Sequence, residues 1–211
     1  MIDFKIEPVE IKLRSVKLNG TFFRFFGSKK LVIFAHGSGS SRLSPRNILV
    51  AKYLLTRKIS SFLFDLLTEE EDKFYKNRFE IDLITNRLIE VTRWLRNQKN
   101  MKKMEFSYFG SSTGAAAALK ASLKLQKEIK AIVSRGGRPD LVISDLLKVT
   151  TPTLLIIGEL DGEVVKLNQR AYKSLSGIKK MEIISDATHL FEEPGKIEEV
   201  SKMAADWFIK Y

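Results

Sequence analysis

The stretch FGSSTGAAAAL, residues 109–119, sets two serines and a threonine between two glycines and then runs into small apolar residues. Within it GSSTG, residues 110–114, matches the pattern Gly-x-Ser-x-Gly with Ser112 at its centre. The apolar run EFSYFG (105–110) leads into the motif and reads as a buried strand, while the alanines that follow read as a helix. In that context the motif is a nucleophile elbow, a sharp strained turn whose glycines let strand and helix approach without side-chain collision. A plain serine-rich turn satisfies the same letters, so the rest of the chain has to decide.

Working outward, more short apolar runs alternate with helix-period segments: LVIFAHG (31–37), SSFLFDLL (60–67), IKAIVSRGG (129–137), TPTLLIIGELD (151–161) and KKMEIISDA (179–187). They read as strands of a parallel sheet covered on both faces. Ser44 before Pro45 signals a helix running to about Ile59. Ile81, Ile84, Leu88, Val91 and Leu95 form one helical face, and Ile197, Val200, Ala204 and Trp207 repeat that spacing near the end. Ahead of them VKLNGTFFRF places Asn19 and Gly20 between two alternating segments, which predicts an antiparallel hairpin turning there. The expected fold class is α/β, a doubly wound, mostly parallel sheet with an N-terminal antiparallel hairpin, in a single domain over residues 1–211. The longest unassigned pieces, about 68–79 and 138–150, are too short for a cap domain, so an open cleft bordered by Phe74, Tyr75 and Phe79 is expected.

The 211 residues carry 36 Lys and Arg against 25 Asp and Glu, a formal net charge of +11, with no cysteine and two histidines. A disulfide framework and a thiolate zinc site are excluded, and neither metal nor cofactor is expected. The basic residues are scattered and never interleaved with aromatics, which predicts a solvated basic surface and no nucleic-acid partner. No apolar stretch is long enough to span a bilayer and the N-terminus lacks a secretory layout, so a cytoplasmic protein without a membrane partner is expected. High Lys, Arg and Glu content without cysteine is also the bias of heat-adapted proteins.

In such sheets ligands bind at the carboxyl edge of the strands. The loops due there are HGSGSSR, GSST, SRGGRPD, ELDGE and DATHLFEEPG. A serine hydroxyl needs a base, and His36 and His189 are the two candidates. His189 lies in a late loop after the final strand, whereas His36 precedes Gly37 in a loop better suited to supplying backbone groups. The acid that orients the base is expected at Asp161, which gives the chain order Ser, Asp, His; Asp140, after the preceding strand, is the rival. The oxyanion hole is expected from the N–H groups of Thr113 and of Ser38, with Gly39 as the alternative to Ser38. HGSGSSR also approaches a dinucleotide fingerprint, but Arg42 stands where the third glycine belongs. Arg42, Arg46, Arg135 and Arg138 near the same edge are candidate ligands for an anionic substrate. The reading preferred for them is that they brace loops by pairing with Asp140, Glu192 or Glu193.

With these elements in order, the chain resembles the α/β-hydrolase superfamily, and within it the small uncapped members similar to dienelactone hydrolase, over about residues 16–211. The resemblance implies a catalytic triad of Ser112, Asp161 and His189 with Ser38 and Thr113 as oxyanion donors. It further implies a serine hydrolase that cleaves a small-molecule carboxylic ester through an acyl-enzyme. A thioesterase or acyltransferase with the same triad, and a non-catalytic hydrolase-fold binding module, are the alternatives. Dienelactone hydrolase itself uses a cysteine nucleophile, which this chain lacks, so dienelactone is not the expected substrate. HGSGSSR, SRGGRPD and ATHLFEEPG also resemble a bacterial and archaeal subgroup sometimes fused to a phosphoribosyltransferase domain, for which this chain has no room.

Scattered charge predicts that DNA and RNA bind no tighter than about micromolar at physiological salt. Fluorescence anisotropy across a salt titration checks this; a sub-micromolar affinity that weakens steeply with salt overturns it.

Overall fold

The computed structural model describes residues 3–211. The apolar runs form the sheet because each alternates its side chains between two covered faces. In strand β3 (Lys30–Ala35), Leu31, Ile33 and Ala35 join one hydrophobic cluster while Val32 and Phe34 join the other. The remaining strands are β1 (Phe4–Lys12), β2 (Lys17–Phe25), β4 (Ser60–Phe64), β5 (Glu105–Ser111), β6 (Ile129–Arg135), β7 (Thr153–Gly158) and β8 (Lys179–Ile184). They assemble in the order β1-β2-β4-β3-β5-β6-β7-β8, antiparallel for β1 with β2 and β2 with β4, and parallel from β4 onward.

Helices cover both faces. On one side α3 (Ile81–Arg96), α4 (Thr113–Leu125) and α5 (Gly162–Ser174) bury Leu88, Val91, Ala117 and Ala171 against the sheet. On the other, α1 (Pro45–Thr56) and α6 (Lys196–Lys210) bury Val50, Leu54, Val200 and Trp207. The helical faces read from spacing are therefore the buried ones. A polar pair in this part of the core is closed: Thr92 Oγ1 donates to the Leu88 carbonyl at 2.7 Å, so Tyr108 must donate its hydroxyl to Thr92 at 2.7 Å. Burial pushes the Tyr108 phenol well above its ordinary range.

Two expectations are corrected. The N-terminal hairpin forms, but it turns at Leu13–Val16, where the Leu13 N–H meets the Val16 carbonyl at 3.0 Å; Asn19 and Gly20 lie inside β2. Gly20 is there for space, since a Cβ on it would sit 2.7 Å from the Phe62 ring. The helix after Ser44 also stops at Thr56 rather than Ile59, because Lys58 takes a positive φ of 60° and hands the chain to β4. Ser44 caps it as expected, accepting the Asn47 N–H.

The outer strands carry charge: Lys5, Glu7, Glu10 and Lys12 with Pro8 on β1, and Lys179, Lys180 and Glu182 on β8. No helix of the described residues is long and apolar enough to cross a membrane.

One contact sets how β5, α4 and β3 meet. Gly114 in the first turn of α4 touches the backbone of β3 so closely that a Cβ there would lie 2.1 Å from the Ala35 carbonyl oxygen. Ala115 to Ala118, all fully buried, continue the close seam. Gly114→Ala is therefore expected to cost at least about 2 kcal/mol in urea unfolding, since neither backbone can yield. Gly162→Ala, at a helix start with nothing within 4 Å, should instead be neutral or stabilise by up to about 1 kcal/mol.

Candidate active site

Because β4, β3, β5, β6, β7 and β8 run parallel, their carboxyl ends share one edge, and the predicted loops gather there. β5 ends at Ser111, and Ser112 then adopts φ 49°, ψ −121°, outside the left-handed helical well that non-glycine residues sometimes visit. Such a conformation costs about 1–3 kcal/mol and persists only where its surroundings over-determine it. Here they do: the Ser112 N–H bonds the Arg135 carbonyl at 3.2 Å, and the Ser112 carbonyl accepts from Arg138 at 3.1 Å and from Ala115 at 3.0 Å. A Cβ on Gly110 would lie 2.5 Å from the Ala115 Cα, which explains the first glycine of the motif as Gly114 explains the second. The two adjacent hydroxyls part company. Ser111 is buried and donates to Asn47 Oδ1 on α1 at 3.2 Å, whereas Ser112 stands half-buried at the tip. Asn47 is a supporting residue that the sequence reading missed; its only signal was a polar residue on the inner face of α1.

His189 and Asp161 come together. Asp161 is the residue before α5, His189 lies in the loop after β8, and Nδ1 of the ring is 2.5 Å from Asp161 Oδ2. With the carboxylate on Nδ1, the tautomer is fixed and Nε2 is the acceptor. The ring rests on Gly136, next to the Arg135 carbonyl that holds Ser112. Among the described residues the ring bonds to Asp161 and not directly to Ser112. Asp140 is engaged elsewhere, taking two 2.9 Å bonds from Arg138.

His36 is locked in the other loop. Its Nδ1–H donates to the Gly37 carbonyl at 2.9 Å, and Nε2 accepts the Leu66 N–H at 3.0 Å, so both nitrogens are used. Burial holds the imidazole below its ordinary value of 6.5, against the opposing pull of the Gly37 carbonyl and of Asp65 and Asp72. The clamp ties the Gly37–Ser40 turn, with Gly39 at φ 67°, to the end of β4. Ser38, Gly39 and Thr113 line one small cavity of about 10 Å³ beside it.

The arginines mostly brace loops. Arg42 holds Asp65 through its backbone N–H at 2.8 Å and its guanidinium at 2.5 Å, Arg46 pairs with Glu192, and Arg138 pairs with Asp140. Asp65 as a partner was not foreseen. Glu193 accepts the Thr188 N–H at 3.2 Å instead of an arginine. Arg135 differs: it is 6% exposed, has no carboxylate partner among the described residues, and reaches the Leu190 carbonyl at 3.4 Å. Burial, with Arg46 nearby, lowers its guanidinium to about 10. Phe74, Tyr75 and Phe79 are exposed on the segment between α2 (Glu69–Asp72) and α3.

A strained serine turn after a central strand, in a sheet of this order with loops at the carboxyl edge, is the architecture of the α/β-hydrolases. No family model matches the chain. It is similar in structure to a dienelactone hydrolase from Anabaena variabilis, at 42% identity over 99% of both chains and a TM-score of 0.95. The chain belongs to the dienelactone hydrolase family of that superfamily. An esterase from Pyrococcus furiosus shares the fold at 21% identity, covering 99% of this chain and 92% of its own, with a TM-score of 0.76. Among curated proteins the chain is 50% identical over 181 residues to one from Mycobacterium tuberculosis named as a phosphoribosyl transferase. That match takes in 86% of this chain but 41% of the relative, so the chain spans about two fifths of the relative's length.

The His36 clamp predicts an acid weakness. The unfolded chain binds a proton on His36 below about pH 6.5 while the folded state resists it. Stability from this group is thus complete above that pH and lost as pH falls toward the lowered folded value, by about 1.4 kcal/mol per pH unit. Urea unfolding between pH 7.5 and 5 should show a steeper loss for the native protein than for His36→Gln; equal slopes contradict it.

Proposed function

We propose that the protein is a serine hydrolase that cleaves small carboxylic esters through an acyl-enzyme on Ser112. The observation that carries this reading is the forced backbone of Ser112 beside the His189–Asp161 pair, since strain of that size has no structural benefit of its own. Ser112 Oγ attacks the acyl carbon as its proton passes to His189 Nε2, and Asp161 stabilises the imidazolium. The oxyanion is held by the N–H groups of Thr113, at the open start of α4, and of Ser38. His189 then protonates the leaving alcohol, and water, activated by the same base, releases the acid. The ring must swing or slide toward Ser112 to close the relay, a movement usual when substrate binds.

The same machinery serves thioesters, or an acceptor other than water, and comparison of rates on matched substrates separates these. The transferase chemistry in the name of the curated relative is assigned to the portion of that protein outside the match. A non-catalytic binding module would have no use for the strain at Ser112.

A fluorophosphonate probe is expected to label Ser112 and no other residue, read by peptide mapping. Ser112→Ala should reduce turnover of nitrophenyl esters by about a million-fold, while Ser111→Ala keeps most of it. Asp161→Asn in a folded protein should cost about ten-thousand-fold near neutral pH, and Asp140→Asn little. Labelling at Ser111, or near-native activity in Asp161→Asn, rejects the assignment.

A further inference from the structure

Among the described residues three basic side chains are buried: His36, Arg87 and Arg135. Two of them are matched. His36 bonds two backbone groups, and Arg87 bonds Glu71 at 2.8 Å. Arg135, at the end of β6, meets no carboxylate among the described residues, and its Nε has no partner there. A buried charge without a counter-charge costs folding free energy, and the guanidinium registers that cost in a value lowered to about 10. Such departures from a stable interior concentrate at functional sites.

Arg135 touches both halves of the site. Its backbone carbonyl takes the Ser112 N–H at 3.2 Å. Its side chain lies under the loop after β8, where Nη1 donates to the Leu190 carbonyl at 3.4 Å and the guanidinium carbon stands 5.9 Å from the centre of the Phe191 ring. His189 and Leu190 are the central residues of a turn closed by a 3.3 Å bond from the Phe191 N–H to the Thr188 carbonyl. Phe191 is fully buried and holds φ 57°, a left-handed conformation rare for a bulky residue. Other ties on this loop lie to its two sides: the Leu160 N–H bonds the Ala187 carbonyl at 3.0 Å, and Arg46 pairs with the exposed Glu192. Arg135 holds the loop from inside, at the residue next to the base.

We propose that Arg135 is a positioning residue for the reaction: through the Leu190 carbonyl and the Phe191 ring it sets where the His189 ring stands relative to Ser112. This rests on the Ser112 reading, which makes His189 the base. The backbone of Arg135 fixes the nucleophile turn and its side chain fixes the loop of the base, so both groups are referred to one point at the end of β6. A neutral side chain of similar length keeps the first hold and loses the second.

Arg135→Met tests this, with Arg135→Gln as a second neutral variant and Arg135→Lys as the conservative one. In the folded Met variant kcat on nitrophenyl acetate should fall by about tenfold to a hundredfold, the scale on which a displacement of about 1 Å acts, with KM nearly unchanged. The rate of fluorophosphonate labelling at Ser112 should fall with it. The proton between His189 Nδ1 and Asp161, read as a low-field NMR resonance, should broaden or shift. Arg135→Lys, which keeps a donor for the Leu190 carbonyl, should recover most of the rate and the resonance. An unchanged kcat or an unchanged resonance in a folded neutral variant overturns the positioning role alone. A loss carried by KM with kcat kept also overturns it, since Arg135 is then a substrate contact. Failure of both neutral variants to fold overturns it as well, since the residue then serves the fold. A native protein that neither cleaves esters nor takes the probe overturns the Ser112 reading, and the positioning role with it.

Discussion

The site depends on a backbone contact that no side chain can enter. Gly114 of α4 lies against the Ala35 carbonyl and Gly110 of β5 against Ala115, so strand, turn and helix are pressed into less space than any other residue allows. Ser112 absorbs the resulting bend, and the Arg135 carbonyl and Arg138 N–H hold it there. The same compression brings the β3 loop alongside: a Cβ on Gly37 would sit 3.0 Å from the Ser112 Cβ. Two loops far apart in sequence are thereby kept in register by packing, before any polar contact is counted.

Much of this was legible in the sequence because it follows from burial on both sheet faces. A strand covered above and below must be apolar throughout, so LVIFA and TLLIIG announce themselves, and the glycines of GSSTG mark a place where side chains are forbidden. The hairpin turn was misread for a related reason. Asn-Gly is a local turn signal, but Gly20 answers to the Phe62 ring on the neighbouring strand, a constraint that local letters do not carry. The choice between Asp161 and Asp140 was likewise open, since both follow a strand. In the structure Arg138, two residues from Asp140, takes that carboxylate, while Asp161 meets His189. The segment from Thr68 to Phe79 escaped assignment because its short helices bury no residue and are stitched mainly by charge, capping and side-chain hydrogen bonds.

The two histidines show how environment divides identical side chains. His189 is partly exposed with one nitrogen on a carboxylate, whereas His36 spends both nitrogens on the backbone and is kept neutral by burial. One keeps an edge of its ring open beside a carboxylate, and the other is fixed in place by two backbone bonds. The buried Arg135 takes a third part, a cation lodged under the loop that carries His189 with its Nε unpartnered among the described residues.

The charges and proline on the sheet's outer strands bear on behaviour in a crowded solution. β1 and β8 expose ladder groups on their free sides that would template a foreign strand, and a sheet of largely apolar interior strands is vulnerable to such growth. Lysines at both margins, and Pro8 with no N–H to offer, make each margin a poor template. Charge and proline at the margins thus work against growth of the apolar sheet from one copy to the next.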